Sequence, residues 1–464
     1  MASTYLTRSI GTPTSQKIFT FSTWLKKSLQ DDAGTQHIFD SFYSADNRLV
    51  IYFQGSSTDT FAMYNRSGAS ETMYMNTNMK FRDTNGWYHI YIAVDTTQST
   101  ASDRVKFYIN GEQVTSWETS NYPAQNSNIN IVSGYTNYIG RYGGGGNFFN
   151  GCMSHYYYVD GSVIDIAQFG STDSTTGEWK INTSPTIASY GNQGFSILKD
   201  NNTITDQSPN SNNFTLAGGT LTKTEDCPSN VFATMNPLGT YDGTLSNGNT
   251  RVQTNQTNYR YIASTLGVSS GRYYWECKLQ EIGNYMLSGI TDQPSFPASG
   301  VTMLGNGTYD CAVYIGNQSA SGGNGHLYHS STSNSASTNT PGAFMSAFNQ
   351  GDILTFALDL DSPTRKLYIG ANGQWANGSG STNQTFANAT GVSIVIPQNT
   401  NTGFYFPACG DYSGTYGHWE YNFGNGYFGT TAVASAGTNA SGNGIFEYDV
   451  PTGYTALSTK GLNE

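Results

Sequence analysis

Residues Gly86–Val114 read GWYHIYIAVDTTQSTASDRVKFYINGEQV, and the same order of parts returns at Gly351–Trp375 as GDILTFALDLDSPTRKLYIGANGQW. Each copy is an alternating apolar run ending in Asp, a polar turn, a second run containing Tyr-Ile, and a Gly turn. Successive strand side chains point to opposite faces, so Tyr88, Ile90, Ile92 and Val94 share one face of the first run. Ile353, Thr355, Ala357 and Asp359 share one face of the second. A run that reverses through a polar turn and pairs with its return strand is a hairpin, and Gly111 and Gly373 then turn the chain again. One such hairpin at the centre of each of two tandem sandwiches is the simplest account of the repetition.

Working outward, period-2 alternation dominates and helical periodicity is nearly absent, which predicts antiparallel sheets packed on one face. The first half offers strands at Ile18–Lys26, Leu49–Gln54, Thr72–Met75, Trp87–Val94, Val105–Asn110, Asn137–Tyr142 and Met153–Val159. Gly, Asn, Ser and Asp clusters connect them, as turn formers should. The pattern weakens over residues 166–250, which are expected to form a connecting region with short strands. A second set follows at Arg272–Gln280, Met286–Thr291, Cys311–Ile315, Ile353–Leu360, Lys366–Ile369, Gly403–Ala408 and His418–Phe423. The expected fold is all-β: one sandwich over residues 1–165 and a second over 251–464 with a C-terminal tail.

A chain of 464 residues is long enough for two or three cores. Charged residues make up only 11% of it, against about 25% in ordinary globular proteins. Aromatic residues at 14% supply the burial that disordered chains lack. The net charge of −11, with no concentrated basic patch, argues against binding nucleic acid through phosphates. No apolar run approaches a membrane span, and the N-terminus lacks a secretory pattern, so synthesis and folding in a cytoplasm are expected. The five cysteines are odd in number and widely spaced, which fits neither a disulfide framework nor a zinc cluster. Sequons such as Asn65-Arg66-Ser67 are expected by chance in a chain this rich in Asn and Ser.

The stretches GWYHIYIAVD, DRVKFYINGEQV and YIGRYGGGGNFFNGCMSHYYYVDG resemble the laminin-G or pentraxin-like version of the concanavalin A-like fold. The later GRYYWECKLQ, MLSGI, DILTFALDLD, KLYIG, GFYFPACG and WEYNFG resemble a SPRY domain, which shares that jelly-roll architecture. The junction DQSPNSNNFTLAGG and SNVFATMNPL, with the ending YDVPTGYTALSTKGL, is similar to stretches of tailed-bacteriophage structural proteins. This resemblance implies a virion component, a tail fibre, tail-associated or capsid-attached protein, that meets a host-surface glycan or receptor and other virion proteins. A fibre-like role implies a homo-oligomer, most simply a trimer, although no heptads are present. Architectural cement without a ligand and, further off, a polysaccharide depolymerase remain open as other classes. Laminin-G modules often hold calcium; here Asp40, Asp59 and Asp103 fall in no recognisable ligand pattern and read as turn or strand-end residues, so no cofactor is expected.

Catalytic patterns fail their context tests. Gly267-Val-Ser-Ser-Gly271 fits GxSxG but leads into a strand instead of a helix. Gly143–Gly146 likewise lacks the helix of a phosphate loop. Concanavalin A-like glycosidases need carboxylates at i and i+2 on one strand face; Asp359-Leu-Asp361 is nearest, but it abuts Ser-Pro and reads, like Asp95, as a turn. The six histidines show paired spacing only at His326-Leu-Tyr-His329, in a Gly/Ser/Asn-rich stretch that reads as an exposed loop, and His89 reads as packed in its strand. What remains is binding: aromatic rings in loops can stack on sugars while amides and hydroxyls match hydroxyl groups. His326, Tyr328, Trp375, Tyr412 and Tyr416 are the candidate ligand-binding residues.

Overall fold

A computed structural model describes residues 3–29, 34–56, 58–199, 203–239, 243–254, 256–294, 303–305, 307–316, 325–329, 344–413 and 417–463, without the side chains of 256–259 and 412–413. The chain divides into two compact units, residues 1–223 with 227–229, and residues 224–226 with 230–464.

The strands of the first unit are β1 (Tyr5–Ser9), β2 (Ile18–Lys27), β3 (Gln36–Ser44), β4 (Asn47–Phe53), β5 (Thr60–Ser67) and β6 (Ser70–Lys80). They continue with β7 (Tyr88–Asp95), β8 (Val105–Ile109), β9 (Glu112–Gln113), β10 (Trp117–Asn121), β11 (Thr136–Ile139) and β12 (Gly151–Asp160). Four short strands close the unit: β13 (Gly170–Thr172), β14 (Trp179–Ile181), β15 (Phe195–Ile197) and β16 (Thr215–Gly218). One sheet runs β10-β6-β5-β4-β3-β11-β1-β16 and the other β15-β12-β2-β7-β8-β9. Between them lies a core of Phe19, Phe21, Leu49, Ile51, Phe61, Met63, Met73, Ile90, Ile92, Phe107, Tyr156 and their neighbours. Phe195, Ile197 and Phe214 belong to that core, so much of the stretch expected to connect the two sandwiches is built into the first. Its short strands are too brief for alternation to register, and burial in the core holds them in place.

In the second unit, β17 (Thr244–Ser246), β18 (Arg251–Gln253), β19 (Gln256–Ala263), β20 (Arg272–Glu281), β21 (Met286–Thr291), β22 (Cys311–Ile315) and β23 (Leu327–His329) come first. Then follow β24 (Ile353–Asp359), β25 (Lys366–Ala371), β26 (Gln374–Ala376), β27 (Thr382–Gln384), β28 (Val392–Ser393), β29 (Phe406–Ser413) and β30 (His418–Asn422). The last are β31 (Tyr427–Phe428), β32 (Thr431–Ala432) and β33 (Thr455–Ala456). The larger sheet runs β17-β18-β30-β20-β24-β25-β26-β27, with β28 on β25 and β33 on β20; the smaller runs β19-β29-β21-β22-β23. Trp275, Phe356, Leu358, Ile369, Trp419 and Tyr421 are among the core residues between them.

The repeated stretches occupy equivalent places. β7, β8 and β9 follow β12-β2 in one sheet, as β24, β25 and β26 follow β30-β20 in the other. Both units close the repeat with Asn-Gly at positive φ, Asn110 (48°) and Gly111 (82°) in one and Asn372 (51°) and Gly373 (79°) in the other. That is the type I′ geometry whose twist suits a two-residue hairpin. Each Asn side chain also accepts from the start of the neighbouring strand, from His89 N–H of β7 at 2.7 Å and from Ile353 N–H of β24 at 3.0 Å. The strand-end aspartates match as well: Asp95 accepts from Thr97 N–H, and Asp359 from Asp361 and Ser362 N–H. Both aspartates therefore organise turns.

Alternation gives way where both faces of a strand are covered. All seven residues of β24 are buried, because the chain's C-terminal segment lies over the face opposite the core. There Phe446, Val450, Tyr454 and Ala456 pack on Tyr274, Ala357 and Trp375. Buried Glu276 anchors this segment: its carboxylate accepts from Glu447 and Tyr448 N–H, both at 2.9 Å, from Tyr274 Oη at 3.0 Å and from Asn422 Nδ2 at 3.3 Å.

Candidate functional site

The outer face of the eight-stranded sheet of the first unit carries a concavity of about 380 Å³, lined by Thr35, His37, Arg48, Val50, Tyr52, Tyr64, Glu71, Tyr74, Tyr142 and Asn147. Alternation puts Leu49, Ile51 and Phe53 of β4 into the core and so turns Arg48, Val50 and Tyr52 outward. Cross-strand register then builds a row, with Asp40 opposite Val50, Val50 opposite Tyr64, and Tyr64 opposite Tyr74. Such directly opposed side chains are close enough to touch.

The rings hold one another. His37 stacks on Tyr52 at 5.4 Å with 23° between planes and meets Tyr142 at 5.2 Å. Tyr64 and Tyr74 meet edge to face at 6.1 Å. The Tyr74 hydroxyl accepts from Gln54 Nε2 at 2.6 Å, which fixes that ring. Arg48 lies over two faces, 4.9 Å from the centroid of Tyr142 and 5.5 Å from that of Tyr64, distances at which the ring quadrupole attracts a cation. Burial pushes the Tyr52 hydroxyl well above the ordinary phenol range, so it is a neutral hydrogen-bonding group.

The glycine run Gly143–Gly146 borders the groove, with Tyr142 and Asn147 at its ends. Tyr142 N–H donates to Gly146 O at 3.2 Å, and Gly143 N–H donates to Asp40 Oδ2 at 2.7 Å. A Cβ at Gly143 would stand 2.3 Å from the Phe42 ring, so the close approach of this loop to β3 requires glycine. Asp40 itself is fully buried, and that burial raises its carboxyl above the usual range, with His37 and Gly143 opposing the rise. Asn147 Nδ2 donates to Thr35 Oγ1 at 2.9 Å, and His37 Nε2 lies 3.2 Å from the same oxygen.

The residues singled out from the sequence lie elsewhere. His326 and Tyr328 come together at edge strand β23, not in an exposed loop: Leu327 pairs with Val313, and Tyr328 with Ala312. Tyr328 is buried among Tyr261, Leu287, Leu304 and Tyr314, and His326 is buried beside it in sequence. The Gly/Ser/Asn-rich surroundings concealed a three-residue strand whose apolar contacts are all long-range. Trp375 is on β26 in the opposite sheet, buried beneath the C-terminal segment and edge to face with Phe386 at 4.9 Å. Tyr412 belongs to β29 but its side chain lies outside the described part, and Tyr416 lies outside the described residues.

The sequence reading passed over the groove residues because it lacked β5, which joins β4 to β6, and β3, which joins β4 to β11. Pairing irregularities within β3, between His37 and Phe39 and between Phe42 and Ser44, break its period. The detectable signal is tyrosine at outward positions of successive strands, 52, 64 and 74, where a solvated face would carry small polar residues.

Of the aspartates weighed for calcium, Asp59 is held by Lys27 Nζ at 3.2 Å and Arg82 Nε at 3.4 Å, and Asp103 by Lys106 at 3.0 Å. Among the described residues no group of three or more His, Cys, Asp or Glu side chains could hold a metal, and no disulfide forms. His89 is fully buried, stacked on Trp24 at 4.9 Å, with Trp179 Nε1–H donating to its Nδ1 at 3.0 Å. Burial lowers its pKa to about 3, so it is a neutral packed ring. Among the described residues no helix is long and apolar enough to cross a membrane.

Residues 2–163 match the family described as the concanavalin A-like lectin/glucanases superfamily. The first unit carries a concanavalin A-like domain. No curated protein matches the chain. Among solved structures, the chain is similar to the SPRY domain of human HERC1, at 17% identity over 40% of this chain and 96% of that one, TM-score 0.28. It is similar to a heptameric SAP-like pentraxin from Limulus polyphemus, at 16% identity over 42% and 86%, TM-score 0.28. A third is domain 4 of the GH43 extracellular arabinanase AbnA from Geobacillus stearothermophilus, in complex with arabinotriose, at 16% identity over 32% and 63%, TM-score 0.24.

Proposed function

We propose that this protein is a non-enzymatic, glycan-binding surface component of a bacteriophage particle, and that it holds saccharide in the tyrosine-lined groove of its first unit. The groove carries the reading. Ring faces of Tyr52, Tyr64, Tyr74 and Tyr142 suit the CH faces of a sugar ring, while Asn147, Thr35 and the phenol hydroxyls suit its hydroxyl groups. The lectin and glucanase membership of the family matched by residues 2–163 supports it. Glycoside hydrolysis uses two carboxylates flanking one bond. Here Glu71 lines the groove and Asp40 lies buried under it, already accepting from Gly143 N–H, which favours binding over cleavage.

The particle assignment is supported by the stretches DQSPNSNNFTLAGG, SNVFATMNPL and YDVPTGYTALSTKGL, similar to those of tailed-phage structural proteins. On a particle, repeated copies would turn weak single-site affinity into avidity; a homotrimer in contact with other virion proteins is the simplest arrangement.

The test is retention of the full chain on a panel of bacterial surface polysaccharides and defined glycans. The parent is expected to bind, and Tyr64→Ala, with an unchanged melting temperature, to bind about tenfold more weakly, the loss expected for one stacked ring. Retention of no saccharide, or a Tyr64→Ala chain that binds as well as the parent, would remove this reading. Labelling of the chain on purified particles, viewed by cryo-EM, tests the assembly half separately.

A further inference from the structure

Arg48 is unusual among the groove residues. Its guanidinium has no hydrogen-bond or ion-pair partner among the described residues, and its Nε is buried from solvent without an acceptor. Two tyrosine faces fix it in place instead. The other charges around it are already engaged. Arg66, directly opposite Arg48 on β5, turns away to Asp46 at 3.4 Å. Glu71 is one strand further, opposite Arg66, roughly 10 Å from Arg48 by strand spacing, and accepts from Asn121 Nδ2 at 3.3 Å. Asp40 feels the charge of Arg48 but accepts from Gly143 N–H and lies 3.6 Å from His37 Nδ1.

A guanidinium presents five N–H donors in a rigid fork that matches the oxygens of an oxyanion two at a time. Leaving such donors without acceptors in a half-buried site is costly unless something else supplies them. We infer that the groove selects an acidic saccharide, whose carboxylate or sulfate sits on Arg48 while the adjoining sugar rings extend over Tyr64 and Tyr74. The inference rests on the glycan-binding reading above. It also sets a direction: the anionic substituent lies between Tyr64 and Tyr142, and an uncharged residue of the glycan lies beside Glu71.

The chain's net charge of −11 opposes long-range attraction of such a ligand, so recognition has to be local, at this one cation. The experiment compares full-length protein on polygalacturonate, hyaluronan, sialyllactose and dextran sulfate with neutral dextran and mannan, at low and high salt. At least one acidic probe is expected to bind tenfold or more tightly than the neutral ones, with the advantage falling as salt rises. Retention on polygalacturonate, hyaluronan or sialyllactose points to the carboxylate, and retention on dextran sulfate alone to the sulfate. Arg48→Gln should lower acidic binding by roughly ten- to a hundredfold, the scale of one charged hydrogen bond, and lower neutral binding much less. Arg48→Lys keeps the charge and loses the fork, and should fall between the two with an unchanged melting temperature; this separates lost recognition from lost folding. Equal binding of neutral and acidic probes, untouched by either substitution, overturns the inference while the glycan reading stands. Binding of none of the saccharides overturns both.

Discussion

At the scale of single residues, the second unit turns on Glu276. Its two carboxylate oxygens accept from Tyr274, Asn422, Glu447 and Tyr448, yet burial is the larger effect and lifts its pKa from 4.5 to about 7. The proton can be accommodated because the Tyr274 hydroxyl, 3.0 Å away, can reverse and accept. Between pH 4.5 and 7 the folded chain therefore holds a proton that the unfolded chain has lost. Stability from this group is complete below that window and declines as pH rises through it, by about 3 kcal/mol in the limit. Glu276→Gln should reduce that slope in denaturant midpoints measured from pH 4.5 to 7.5, the remainder coming from Asp411 and Asp310, which burial raises to about 7 and about 6. It should also lower stability throughout by roughly 1–3 kcal/mol, since an amide NH2 would face a backbone N–H of Glu447 or Tyr448. A slope unchanged by the substitution would mean that another group carries it. Trp375, chosen from the sequence as a sugar platform, belongs to the same assembly: a large ring near a glycine turn reads alike whether solvent or a C-terminal segment lies above it.

Among the elements, the repeated hairpin is the one whose sequence states its own geometry. Asn-Gly with both φ positive is available to few other pairs, and at Gly373 a Cβ would also stand 2.7 Å from the Tyr448 ring. Gly373→Ala should cost the second unit about 1–2 kcal/mol from the left-handed backbone alone, and more if Tyr448 cannot move. A midpoint shift well under 1 kcal/mol would show that the turn changes type without penalty. Strands β7, β8, β24 and β25 are legible because each pairs with its neighbours without a register shift. Strands β3 and β5 are not, since pairing shifts fall within or between them and their neighbours, and a shift of one residue exchanges the faces. The candidate site was lost with them. A groove made of one residue from each of several strands exists only once those strands are placed side by side.

For the whole molecule, each unit encloses its own principal core, one around Phe21, Phe61 and Ile92 and one around Trp275, Phe356 and Trp419. Each sandwich has its own complete pair of sheets. Calorimetry of the full chain should therefore resolve two transitions, and Glu276→Gln or Gly373→Ala should move one while leaving the other in place. A single transition displaced by both variants would mean that the units unfold as one. By itself the sequence determined the fold class, the tandem arrangement, and the turns at Asp95, Asp359, Gly111 and Gly373. These follow from periods and dihedral preferences that act over a few neighbouring residues. Only the tertiary structure decided that His326, Tyr328 and Trp375 are packed inside, that Phe195 and Phe214 belong to the first core, and that Arg48 lies among four tyrosines without an acceptor among the described residues. Burial and cross-strand register join residues distant in sequence, and neither leaves a mark on any one strand read alone.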